Sequence, residues 1–443
     1  MCRRGVWCKW SFSASLVVLL IILGMDNMAH GQNIRSCGTP SPLSLPRVVP
    51  PAGPAASLSS GVGSLEVIPS ICVSERYDSN VFYRPATPGL TRNDFVTHVS
   101  PTLLVHHNGD YASGFLNVGG FNETYVNNPD LNYFGTNDNL FLNLDNSIKR
   151  LFPNASLKIV EAVRYAPLPP GFASLAAGTS PGAPVNTPNV FAQGFLIQRT
   201  NNLTNNGTVS TSYATTASTS VSASYSYGII RFGSSPVATQ TSLFDTTIQT
   251  GTVGGSARLS GLDTLSTKYS YTQTESTSGS TSRLFKTNSA TIGWSRTLTP
   301  NLAAELGGGG ILINPGITTY AVNAALIMHS QNNSATISYS RSAYPSISNA
   351  IEPLVTDLFS LSASQKLDQQ WQLAEAANYA QGSGSNGFNY NSYFASADVY
   401  YWVTRIWSTA LSYDYMKYNS ESGATGTEWA RQAITFSVRA SWE

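Results

Sequence analysis

The chain has 443 residues, 25 Lys and Arg against 24 Asp and Glu, and equal shares, 11% each, of charged and aromatic residues. So low a charge content argues against two or three ordinary soluble domains, where about a quarter of residues are charged, while 22 tyrosines, 18 phenylalanines and 8 tryptophans argue against disorder. The near balance of charge gives no reason to expect nucleic acid or an anionic membrane surface as a partner.

The first element, residues 1–31, reads as an export signal. Arg3, Arg4 and Lys9 form a basic start, Ser13 to Gly24 is apolar, and Ala29-His30-Gly31 offers small residues for cleavage before Gln32. The apolar run falls short of the roughly 20 residues of a spanning helix, and no other stretch approaches that length, so a membrane-spanning helix is not expected. Cys2 and Cys8 leave with the signal. Cys37 and Cys72 remain and allow one disulfide in an exported protein, with two free thiols as the equally ordinary alternative. Residues 32–64, rich in proline and serine ("TPSPLSLPRVVPPAGPAASLSSG"), should form an extended, poorly ordered segment in the periplasm.

From Leu65 to the end the texture becomes two-beat. In "TSVSASYSYGII", serines stand at Ser220, Ser222, Ser224 and Ser226, while Val221, Ala223, Tyr225, Tyr227 and Ile229 fill the places between. Leu140, Leu142 and Leu144 oppose Asn143 and Asp145; Ala335, Ile337 and Tyr339 oppose Thr336, Ser338 and Ser340. Phe359, Leu361 and Ala363 oppose Ser360, Ser362 and Ser364, and Ile434, Phe436, Val438 and Ala440 oppose Thr435, Ser437 and Arg439. Helices would need apolar spacings of three and four.

Strands on every such run come to about 18 across residues 65–443, consistent with spanning strands of about 9 to 11 residues plus connections. Short turns near residues 107, 152, 215, 261, 299, 331, 368 and 404 fall between longer loops near 78–94, 126–137, 167–200, 233–243, 275–284, 342–354, 382–391 and 418–429. "NPG" at Asn314 to Gly316 is short where a long loop is due. The predicted fold is all-β: a transmembrane, antiparallel, up-and-down barrel with short periplasmic turns and long extracellular loops. Backbone groups in lipid must all be paired, so a spanning sheet has to close on itself. Serine on alternate positions then faces a wet interior, and tyrosine, leucine and valine face acyl chains. A soluble β-protein should show more Lys and Glu on its outer face and edges. Glu161 and Glu375 interrupt apolar faces and fit this scheme poorly.

Two stretches, "SERYDSNVFY" (Ser74 to Tyr83) and "NPDLNYF" (Asn128 to Phe134), resemble the β-barrel porin type 2 family of outer-membrane proteins, some of whose members are associated with exopolysaccharide export. The resemblance implies a bacterial outer-membrane location and brings no catalytic residues. The terminal "ITFSVRASWE" is similar to the last-strand signal read by the barrel assembly machinery, although Trp442 is penultimate here.

Candidate chemistry is sparse. His98 and Ser100 share one strand face, which would set an imidazole beside a hydroxyl, yet no third orienting group is visible and both read as polar strand residues. His106 and His107 point opposite ways beside a turn, so joint metal ligation is not expected. "GGGG" at Gly307 to Gly310 lies inside a strand pattern and suits close packing better than phosphate binding. Glu66, Asp145, Lys268, Glu305, Asp398, Asp414 and Arg439 fall on the inward face as pore-lining residues, either plain hydrated lining or the basis of a weakly cation-favouring channel.

The resulting expectation is a porin-like channel passing small hydrophilic solutes, without catalysis or cofactor, surrounded by outer-membrane lipid and lipopolysaccharide. The loop Pro167 to Thr200 is a candidate constriction and equally a surface excursion. The alternative is an accessory barrel of an exopolysaccharide export or surface-anchoring system, for which polysaccharide export components would be partners. That alternative calls for a dense aromatic track along one lumen wall.

Overall fold

The computed structural model describes residues 64–86, 91–168, 200–233, 245–278, 281–314, 316–344, 354–384, 387–422 and 425–442. The expected signal and nearly all of the proline-rich segment lie outside these residues, as does the Pro167 to Thr200 loop except at its two ends.

The two-beat segments fold as eighteen strands. They are β1 (Ser64–Asp78), β2 (Asp94–Asn108), β3 (Ser113–Tyr125), β4 (Tyr133–Asn143), β5 (Ala155–Leu168), β6 (Thr200–Ala214), β7 (Thr219–Phe232), β8 (Asp245–Arg258) and β9 (Asp263–Ser278). The second half comprises β10 (Thr281–Thr299), β11 (Leu302–Asn314), β12 (Ile317–His329), β13 (Asn333–Tyr344), β14 (Leu354–Lys366), β15 (Trp371–Ser383), β16 (Phe388–Trp402), β17 (Trp407–Ser422) and β18 (Thr425–Ser441). Each strand pairs antiparallel with its chain neighbours, and β1 pairs with β18 from Ser70 opposite Ser441 to Asp78 opposite Ala433. The sheet therefore closes and no edge remains, which is what hydrocarbon demands of a β-structure.

The register sorts side chains by polarity. On β1, Leu65, Val67, Ile71, Val73 and Tyr77 are exposed on the outer surface, while Ser70, Cys72, Ser74, Arg76 and Asp78 are buried on the inner one. On β7, Val221, Tyr225 and Tyr227 point out and Ser226 points in. Aromatic rings collect in two rows on the outer wall. Tyr339, Phe359, Tyr379 and Tyr393 touch in succession toward the long-loop end, with centroids 4.7, 6.3 and 5.0 Å apart. Trp371 and Tyr401 pack at 4.5 Å toward the short-turn end. From Trp371 to Tyr379 is about 26 Å along the strand, or about 20 Å of height at a tilt of roughly 35–45°, within the apolar band of roughly 25 Å on membrane barrels. Among the described residues no helix is long and apolar enough to cross a membrane.

Three of the expected long loops are tight hairpins instead. Strands β9 and β10 stay paired up to Ser278 opposite Thr281, β15 and β16 up to Ser383 opposite Asn389, and β17 and β18 up to Ser422 opposite Thr425. Their polar upper portions resemble loops in composition, yet a ladder above the lipid needs no apolar side chains to persist. Asp145 is a second correction: β4 stops at Asn143, and Asp145 opens the helix α1 (Asp145–Lys149) in the turn before β5. Its backbone N–H donates to Asn143 Oδ1 and its own Oδ1 accepts from the Leu157 N–H, at 2.9 and 3.0 Å, so it ties the turn rather than lining the interior. The run Gly307 to Gly310 is in β11 as expected, and a Cβ on Gly309 would strike the Ala290 carbonyl on the adjacent strand, a close approach that only glycine permits.

Candidate functional site

The interior carries two different linings. From β5 to β9 it carries small hydroxyls that hydrogen-bond across strands, with Lys158, Arg164 and Lys268 on the same inward register. The pairs are Ser156 with Ser212 (2.6 Å), Thr208 with Ser226 (2.9 Å), Thr250 with Thr272 (3.0 Å) and Thr252 with Ser270 (3.1 Å). Val160 faces inward here and is 37% exposed, so this arc of wall borders open space. Short side chains leave room, and their hydroxyls donate and accept without fixed charge.

The other lining is occupied by the connection after β1. Asn80, Val81, Phe82 and Tyr83 are all buried. Val81 and Phe82 pack with Val96, Tyr125 and Leu131 beside β2 to β4. Tyr83 joins a cluster with Leu354, Leu358, Ala380, Tyr390, Phe394, Met416, Tyr418 and Trp429 on the inner wall of β14 to β18, and its ring meets Trp429 edge-on at 5.8 Å. The connection thus bridges two arcs of the inner wall. Tyr83 adopts φ of 54°, a left-handed conformation that a tyrosine takes only when its surroundings hold it there.

Charged side chains at the base of this connection provide that hold. Arg76 donates from both terminal nitrogens to Glu123, at 3.2 and 3.1 Å, and its Nε lies 3.7 Å from Asp78 Oδ2. Arg431 of β18 donates to both Asp78 oxygens at 3.0, 3.0 and 2.7 Å, and its guanidinium sits 5.2 Å from the Tyr83 ring. Tyr125 donates its hydroxyl to Glu123 at 2.6 Å. Asp78 also accepts from the Asn80 N–H, and the Asn80 amide donates to the carbonyls of Arg84 and Ala430, each at 3.0 Å. Two arginines and two carboxylates in bidentate geometry compensate one another, the condition under which buried charge is tolerated.

His98 belongs to the same cluster. Its ring stacks on Phe121 at 5.3 Å, and its Nδ1 lies 3.4 Å from Glu123 Oε1. Ser100 faces inward one step further along β2, opposite Cys72. His106 and His107 sit at the short-turn end of β2, and no group of three metal-ligating side chains exists among the described residues.

Of the residues assigned to the lumen, Glu66, Lys268, Glu305, Asp398, Asp414 and Arg439 do fall on the inward register. Asp398 lies opposite Ser412 and Asp414 opposite Ser396, which brings these two carboxylates onto neighbouring strands. Lys268 on β9 and Glu305 on β11 lie elsewhere around the wall. Arg439 donates to Ser70 Oγ at 3.2 Å. Cys72 faces inward and is disulfide-bonded, and its partner cysteine lies outside the described residues, as Cys37 does. The residues missed at the sequence level are Arg76, Asp78, Glu123 and Arg431. For Arg76 and Asp78 a signal is present in "SERYDSNVFY": an inward Arg-x-Asp followed, after Ser79 and Asn80, by Val-Phe-Tyr, an apolar run that a solvated loop would not carry, whereas Glu123 and Arg431 have no such local mark.

No protein-family model and no curated protein matches the chain. Solved structures similar to it include OccK1 (OpdK) of Pseudomonas aeruginosa, at 10% identity and a TM-score of 0.44, covering 85% of this chain and 99% of that one. OccAB4 of Acinetobacter baumannii matches at 9% identity and 0.41, covering 85% and 98%. The siderophore receptor PirA of P. aeruginosa matches at 8% and 0.42, covering 85% and 80%. The class defined by the chain's own geometry is a closed, eighteen-stranded antiparallel barrel with an apolar outer band.

Proposed function

We propose that this chain is an outer-membrane channel through which small hydrophilic solutes diffuse, and that Ser79 to Arg84 forms its constriction. The observation that carries the reading is the division of the interior. An inward-folded connection occupies the β14-to-β4 arc, and a wall of hydroxyls interspersed with Lys158, Arg164 and Lys268 runs from β5 to β9. Barrels of 16 to 18 strands generally enclose an aqueous lumen. On this reading the short turns are periplasmic, the inward connection belongs to the extracellular half, and solutes pass along the hydroxyl wall.

Conductance of the purified protein in planar bilayers tests it. Discrete steps are expected, with larger ones when residues 80–83 are replaced by a glycine linker. A folded barrel that never conducts in either form rejects the proposal. The polymer-export alternative has less support, because the inner aromatic residues gather around Tyr83 while Ser360, Ser362 and Ser364 continue the same wall without rings.

A disulfide between Cys72 and Cys37 belongs to the same proposal. It would anchor the proline-rich segment to the inner wall of β1 and narrow the periplasmic approach.

A further inference from the structure

The outer wall is apolar at mid-height except in a few places. On β5, Glu161 lies opposite Leu140 of β4 and Gly207 of β6, which puts its carboxylate on the outer surface near the centre of its strand. Asn205, two residues along β6 on the same face, donates its amide to Glu161 Oε1 at 2.8 Å. Asp138 of β4 is also outward and central, and its Oδ1 accepts the Gly119 N–H at 3.1 Å. Around this group stand Leu140, Val163, Leu203 and Val209, side chains suited to hydrocarbon.

Acyl chains can satisfy none of these polar atoms, and ionisable groups within the membrane are retained where something other than lipid meets them. The internal bond uses one oxygen of Glu161 and one hydrogen of Asn205. Glu161 Oε2 and the second Asn205 hydrogen remain, an acceptor and a donor side by side. Such a pair is complementary to itself: a second copy turned about an axis along the membrane normal brings its own Glu161 and Asn205 to the same depth with donor facing acceptor. Gly207 beside the pair leaves a hollow, since a Cβ placed there would meet nothing within 4 Å. The ladder is also thin nearby, where Val118 and Gly119 form no rungs with β4.

We propose that the outer surface of β4 to β6, centred on Glu161, Asn205 and Gly207, is a twofold contact through which two copies of this chain pair in the bilayer. This rests on the membrane reading of the barrel and is independent of what the lumen passes.

The test uses the full chain in reconstituted vesicles at high lipid-to-protein ratio, with single cysteines introduced by Gly207→Cys or Gly310→Cys. Gly310 is likewise outward with open space at its Cβ, but lies on β11, away from the patch. Oxidative cross-linking to a species of twice the mass is expected at least tenfold more at position 207 than at 310. Adding Glu161→Leu and Asn205→Leu should remove that preference. Gly207→Trp should abolish pairing detected by sizing in mild detergent, and Gly310→Trp should leave it intact, which covers the case where the double replacement impairs folding. Equal cross-linking at both positions, pairing untouched by Gly207→Trp, or an adduct whose mass shows a different protein would overturn the proposal while the gel shift of a heat-modifiable barrel shows the membrane fold intact. A chain that never enters vesicles overturns both readings together.

Discussion

Arg76 holds Glu123 with both ends of its guanidinium across the inner wall from β1 to β3, and neither side chain is more than a tenth exposed. Removing one partner strands the other's charge in a buried setting. Glu123→Leu is therefore expected to destabilise the barrel by about 3–5 kcal/mol, and Arg76→Met combined with Glu123→Leu by much less. Urea unfolding in lipid vesicles measures both. Equal losses for single and double variants would show that the pair does not act as a unit.

Tyr83 is seated by its ring and strained in its backbone. Tyr83→Ala should release the inward connection and raise single-channel conductance. Tyr83→Gly, which takes the left-handed conformation freely, should raise it as well, because the lost contacts with Trp429 and Arg431 are the same. If alanine opens the channel and glycine leaves it unchanged, backbone geometry and not the ring seats the connection.

Asp398 and Asp414 put two carboxylates on adjacent strands of the inner face. Replacing both by asparagine is expected to reduce any preference for cations, read as a shift of reversal potential toward zero in a salt gradient. Anion preference in the unaltered protein would reject the cation-favouring reading.

Cys72 is bonded, so maleimide labelling of the unfolded, unreduced chain should find no free thiol at this position, and non-reducing peptide mapping should join it to Cys37. A Cys72 thiol that labels freely would leave the proline-rich segment without its anchor.

Much of the architecture was legible because a sheet between lipid and water writes its two faces into alternate residues. Val221 and Ser222 differ in polarity because they differ in solvent, and the eighteen runs follow from repeating that difference. Where the solvent is the same on both faces the code lapses: the upper parts of β9, β10 and β17 looked like loops because nothing there must be apolar. Asp145 was misplaced because Leu140, Leu142 and Leu144 keep the beat until the Asn143 side chain captures a backbone N–H and ends the strand. The inward connection was harder to see. Its anchors, Asp78 and Arg431, are far apart in the chain, and only closure of the barrel makes them neighbours.

That closure carries a consequence for biogenesis. Asp78 and Asn80 reach across the seam to Arg431 and Ala430, residues of β18, the strand that closes the barrel on β1. The inward connection, on the proposed reading the constriction, therefore has no complete seat until the closing hairpin has zipped onto the first strand, so a half-inserted cylinder is unobstructed and the obstruction itself is the mark of finished assembly.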